Sequence, residues 1–269
     1  MQRTVACPFF RRAFGWCVPI GGLAGLIGLG GGEFRLPVLM HAIGFDAKSA
    51  VPLNLMVSLV TLAFALATRS GAVALGDVGP HLPEVLGLAA GGMASASAGV
   101  RLVQALSATR LVQLIAILLA AIGALLLVEA VFPFHTAALL PQGATLHVVA
   151  GFVLGIGIGL VSSVLGVAGG ELIIPTLIFL FGADIRTAGS ASILISLGVV
   201  AVGLWRYWRL DAIPRGRGVQ RIISAMSMGA VLGAALGGLL AAVAPVVFLK
   251  LLLGGVLVAA AGKTLASRR

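Results

Sequence analysis

Two segments of the 269-residue chain hold the residue types that could do chemistry in apolar surroundings. Residues 25–37 read GLIGLGGGEFRLP, and residues 163–175 read SVLGVAGGELIIP. Each is a glycine run followed by one glutamate and, four residues later, a proline. Glycine costs a helix about 1 kcal/mol relative to alanine, and it tolerates positive φ. The triplet Gly30, Gly31, Gly32 and the pair Gly169, Gly170 therefore predict helix breaks. Pro37 and Pro175 fit the first turn of a new helix after each break. A helix starting inside a bilayer has free N–H groups, tolerable only where they line a cavity, and such ends attract anions.

Glu33 and Glu171 follow these breaks. An intramembrane carboxyl is a functional candidate. Burial disfavours its ionised form, which suits reversible proton binding. The alternative is an acidic cap on the backbone N–H groups. Arg35 has three readings: an ion pair with Glu33, a snorkelling side chain, or a forked donor to a planar oxyanion. Asn54, Ser58, Ser192, Ser196, Ser162 and Ser163 are weaker candidates for an oxyanion or for inter-helix hydrogen bonds. The expected substrate-binding set is Gly30, Gly31, Gly32, Arg35, Asn54, Ser163, Gly169, Gly170 and Ser192; the proton-coupling pair is Glu33 and Glu171.

The elements that must position these residues follow from composition. Hydrophobic residues make up 60% of the chain and charged residues 10%, too few to keep a domain of this size in water. The apolar runs are continuous and about 20 residues long, which predicts membrane-spanning helices and argues against a β-barrel. The net charge of +10 sits at the ends of these runs, as the positive-inside rule requires, and no basic patch interleaved with aromatics suggests nucleic acid. Arg3, Arg11 and Arg12 ahead of an apolar run resemble the start of a signal peptide, but without a small-residue cleavage site the run reads as retained. Cys7 and Cys17 make no disulfide framework or metal spacing. His81, His135 and His147 show no pairing and read as structural. Signatures of hydrolases, metalloproteases and phosphate-binding loops are absent, so neither an enzyme nor a cofactor is expected.

A shift of 138 residues superposes the two segments and continues without a gap: Gly44 falls on Gly182, Asp46 on Asp184, Ser58 on Ser196, Gly91 on Gly229 and Gly99 on Gly237. The chain is a tandem duplication, with an N-terminal repeat over 1–131, a linker over 132–146 and a C-terminal repeat over 147–269. Each half is expected to hold an apolar stretch too short to span alone (14–30; 147–168), the break, a second short stretch (36–44; 174–182) and three long helices (48–69, 82–102 and 110–131; 187–207, 220–242 and 246–263). Asp46 and Asp184 are expected to cap the first long helix of each half.

Two topologies remain open. The stretches flanking each break form either one discontinuous helix, with parallel repeats, or a re-entrant pair, with inverted repeats. The inverted arrangement with a cytoplasmic N-terminus leaves only Arg69 and Arg186 clearly outside and fits the positive-inside rule better. The expectation is an all-α polytopic membrane protein of two homologous repeats, inverted, each with a glycine-broken helix pair plus three transmembrane helices.

GLIGLGGGEFRLPVL at 25–39 and GVAGGELIIPTLIFLFGADIRTAGS at 166–190, each followed by a long helix, resemble the TauE/SafE family of sulfite exporters. The resemblance covers essentially the whole chain. It implies transport of sulfur-containing anions such as sulfite or organosulfonates. The second motif departs from a full glycine run, with Ala168 opposite Gly30. The combined expectation is a secondary carrier of small anions in the cell (inner) membrane, proton-coupled, with both termini cytoplasmic. Its partners are a small anionic substrate and the bilayer, and a homo-oligomer is compatible with the sequence. A passive anion channel and a non-transporting membrane scaffold are the alternatives.

Overall fold

The computed structural model describes residues 7–27, 30–69, 75–131, 140–141, 143–183 and 185–240, with scattered positions between 245 and 262. Among the described residues the fold is all helical. α1 (Cys7–Ile27) leads to the first break. α2 (Gly32–Pro37) continues as a π-helical turn over Val38–Ile43, and α3 (Ala47–Arg69), α4 (Leu82–Ala105) and α5 (Ala108–Val131) complete the first half. The second half repeats the order with α6 (Ala144–Leu165), α7 (Gly170–Phe181), α8 (Ile185–Arg209) and α9 (Arg217–Leu240). The last expected helix, over about 246–263, lies largely outside the described residues.

Among the described residues, five spans are long and apolar enough to cross a bilayer: Ala47–Thr68, Val78–Ala105, Ala144–Leu165, Thr187–Arg209 and Arg217–Gly237. The chain is a multi-pass membrane protein. Two expectations need correction. The arm before the second break is long and apolar enough to span, with 22 residues in α6, whereas the 21-residue α1 is not among the described spans. Apolar content alone marked them from Phe14 and His147, whereas α1 runs back through Arg11 and Arg12 and α6 starts at Ala144. The short arms begin at the end of each glycine run, as expected, but the prolines lie beyond their first turn. α2 and α7 start at Gly32 and Gly170, directly after the left-handed glycines Gly31 (φ 65°) and Gly169 (φ 81°). The positive φ sets the start, and Pro37 and Pro175 lie further into the helix. The Asp46 cap is present: Ser49 N–H donates to Asp46 Oδ2 at 3.2 Å. Its counterpart Asp184 lies outside the described residues.

The two repeats are packed by exchange. α1 of the first half lies along α9 of the second, and α6 of the second lies along α4 of the first. Glycines let the backbones approach closely. Gly229 abuts the carbonyl of Phe14, and Gly91 abuts the carbonyl of Phe152. Gly21 meets Ala230, and Gly159 meets Gly92; Gly237 meets Gly22, and Gly99 meets Leu160. The 138-residue shift turns each contact into its partner with the repeats interchanged. That is the signature of a two-fold operator, as at an isologous interface.

Candidate functional site

The breaks meet on this pseudo-two-fold axis. Gly30 and its equivalent Ala168 are in contact, and a Cβ on Gly32 would lie 3.1 Å from Val167 Cα. After each break the chain lies back against its own long arm. A Cβ on Gly31 would be 2.9 Å from Ala24 Cβ and 3.3 Å from Ile20 Cγ2. In the second repeat a Cβ on Gly169 would be 3.3 Å from Ser162 Cβ and 3.4 Å from Ile158 Cγ2, the equivalent pair. Gly170 follows, buried, as the first residue of α7.

α3 holds both breaks. Asn54 Nδ2 donates to Gly32 O at 2.7 Å and to Gly166 O at 2.9 Å, so one amide bridges the repeats. Arg35 is fully buried at 0% exposure, which removes the snorkelling reading. Its guanidinium donates to Gly30 O (2.6 Å), Ser58 Oγ (2.7 Å), Asn54 Oδ1 (3.3 Å) and Thr61 Oγ1 (3.4 Å). Arg35 and Glu33 form no ion pair, because the neutral oxygens of α3 and the break take the guanidinium instead. Among the described residues this buried cation is hydrogen-bonded to neutral groups. Thr61 is a partner that sequence reasoning missed, although its place two turns beyond Asn54 on α3 was a usable signal.

Glu33 and Glu171, related by the shift, are both buried, and their carboxyls face each other within side-chain hydrogen-bond reach. No other described residue donates to either carboxyl. Glycines occupy the N-cap positions and supply no side-chain cap, while the Glu171 carboxyl accepts from its own backbone N–H in the first turn of α7. Ser192 and Ser196 are buried on α8, and their hydroxyls are likewise without partners. Ser163, also unpartnered, sits where α6 packs on Gly99 of α4. Ser162 Oγ donates to Val167 O at 2.5 Å and closes the second break.

The histidines are not all unpaired, contrary to expectation. Glu84, buried at the start of α4, lies 2.6 Å from His81 Nδ1 and 3.3 Å from His147 Nδ1 on α6. This cluster ties the two repeats together away from the breaks. Its first-repeat members map onto Val219 and Ile222, so the second repeat has no copy. His147 is 63 residues from Glu84, and no local pattern announces such a contact.

The described helices, the duplicated breaks and the buried polar groups agree with one comparison. The family profile described as "Sulfite exporter TauE/SafE" matches residues 4–126 and 150–269, nearly the whole chain in two segments that follow the repeats. Neither the curated proteins nor the solved structures yielded a match. The family match spans both breaks and the helices that hold them, and on that ground the chain belongs to the TauE/SafE family of sulfite exporters.

Proposed function

We propose that the protein is a proton-coupled secondary carrier of small oxyanions, of the sulfite or organosulfonate class, that binds its substrate between the two glycine breaks. The observation that carries this reading is the pairing itself. Two helices, each beginning at a left-handed glycine, start side by side on the pseudo-two-fold axis. Helix N-termini are suited to oxyanions, and carriers place such ends near the midplane. The buried, mutually facing Glu33 and Glu171 supply protonatable groups at the same place.

The reading includes re-entrant arms and inverted repeats in the cell membrane, with both termini cytoplasmic. The contact of Gly31 with Ile20 and Ala24 supports the re-entrant arm. A second contact supports inversion: Gly203 of α8 approaches Leu55 of α3, with a Cβ–Cδ1 separation of 3.7 Å. The shift places Gly203 on Ala65, ten residues beyond Leu55, or about 15 Å along a helix. Parallel repeats would hold these two residues at different depths, whereas an antiparallel crossing of α3 and α8 brings them level.

Uptake of radiolabelled sulfite into proteoliposomes, with and without a pH gradient, tests the proposal. Saturable uptake that responds to the gradient is expected. Flux without saturation would make the protein a passive channel, and no flux would leave a scaffold.

A further inference from the structure

The two halves of the site differ at one decisive position. The shift that superposes the repeats carries Asn54 to Ser192, Ser58 to Ser196 and Gly32 to Gly170, but it carries Arg35 to Ile173. In the first half the Arg35 guanidinium occupies Asn54 Oδ1 and Ser58 Oγ. At the equivalent place in the second half Ile173 supplies no guanidinium, and among the described residues the hydroxyls of Ser192 and Ser196 are buried without a partner. They stand one turn apart on one face of α8. Native proteins keep few such unpaired buried groups, and each calls for an explanation.

We infer that Arg35 closes the first half-site from within, and that the oxyanion binds in the second, donated to by Ser192 and Ser196 at the N-terminus of α7. α7 has 12 residues and begins at left-handed Gly169, which supplies no side-chain cap; the N–H groups of Leu172 and Ile173 donate to Gly169 O, and Gly170 precedes them at the helix end. The oxyanion would take the place that Arg35 fills in the first half, with its oxygens accepting from both hydroxyls and from that helix end. Ile173 supplies bulk there without donors, so the donors are left for the ligand. Glu171 lies in the first turn of α7. An ionised carboxylate there would repel the anion, so the site accepts one only when Glu171 is protonated. The duplication thus yields one anion site and one internal brace. This assignment rests on the anion-carrier reading and specifies where that anion sits.

The test uses the purified full-length protein in nanodiscs, with sodium sulfite and methanesulfonate as probes and thermal unfolding and direct binding as readouts. In the Ser192→Ala, Ser196→Ala protein the unliganded melting temperature should equal or exceed that of the wild type, because the lost hydroxyls had no partner. Binding of the probe the wild type recognises should weaken by about tenfold or more per hydroxyl. If the double variant does not fold, Ser196→Ala alone is read the same way. Ile173→Arg should abolish binding, with its guanidinium held by Ser192 and Ser196 as Arg35 is held by Asn54 and Ser58. Undiminished binding in the serine variants, or in Ile173→Arg, would overturn the assignment while leaving the anion-carrier reading intact. A wild-type protein that ignores both probes would overturn that reading and the assignment with it.

Discussion

Gly30 and Ala168 touch across the pseudo-two-fold axis, and a Cβ built on Gly30 would lie 2.5 Å from the Cβ of Ala168. One methyl group fits at this point and two do not. The departure of the second motif from a glycine run is therefore a packing requirement: one repeat may carry alanine only if the other carries glycine. Gly30→Ala should destabilise the protein by about 1–3 kcal/mol through overpacking. Adding Ala168→Gly should restore most of the loss, because it moves the methyl across the axis. Thermal unfolding of the two single variants and the double variant measures this. Additive losses would show that the two positions do not share the space.

Arg35 braces the first break, with Gly30 O, Ser58, Asn54 and Thr61 as acceptors. Arg35→Ala leaves buried acceptors without donors, at about 1–3 kcal/mol for an orphaned group. Arg35→Lys keeps the charge but cannot reproduce the fork, so it should recover only part of the stability. If Arg35→Ala melted with the wild type, the brace would be refuted.

The carboxyls of Glu33 and Glu171 are buried and face each other at the breaks. Glu33→Gln and Glu171→Gln should each reduce the response of sulfite uptake to a pH gradient, and the double variant should lose it. The readout is the ratio of initial rates with and without the gradient. A Glu171→Gln protein with the full wild-type response would remove that residue from coupling.

Inverted repeats place the linker on the side opposite the N-terminus. A single cysteine at position 135, introduced as His135→Cys in a background without Cys7 and Cys17, should react with an impermeant reagent added outside intact cells. Labelling only from the cytoplasmic side would reject the inverted arrangement.

Much of the architecture was legible in the residues because it depends on local signals. Apolar runs marked the helices to within a few residues, the glycines marked both breaks, and the constant offset revealed the duplication. What escaped depends on contacts between distant segments. Asn54 reaches Gly166 across 112 residues, and nothing near Asn54 in sequence indicates this. Proximity in sequence suggested Glu33 as the partner of Arg35, but the folded chain offers the guanidinium a closer set of neutral oxygens on α3. The glycine runs mark the starts of α2 and α7, and the left-handed Gly31 and Gly169 set them; the prolines lie beyond the first turn, because a helix that opens on glycine needs no proline to fix its φ.

The central claim is that a small oxyanion is held where the two breaks meet. Anomalous diffraction from crystals grown with selenite, the selenium counterpart of sulfite, tests it most directly. The account predicts a selenium peak beside the N-terminus of α7, within hydrogen-bond reach of Ser192 and Ser196. A peak elsewhere, or an empty break in crystals of protein that transports selenite, would contradict it.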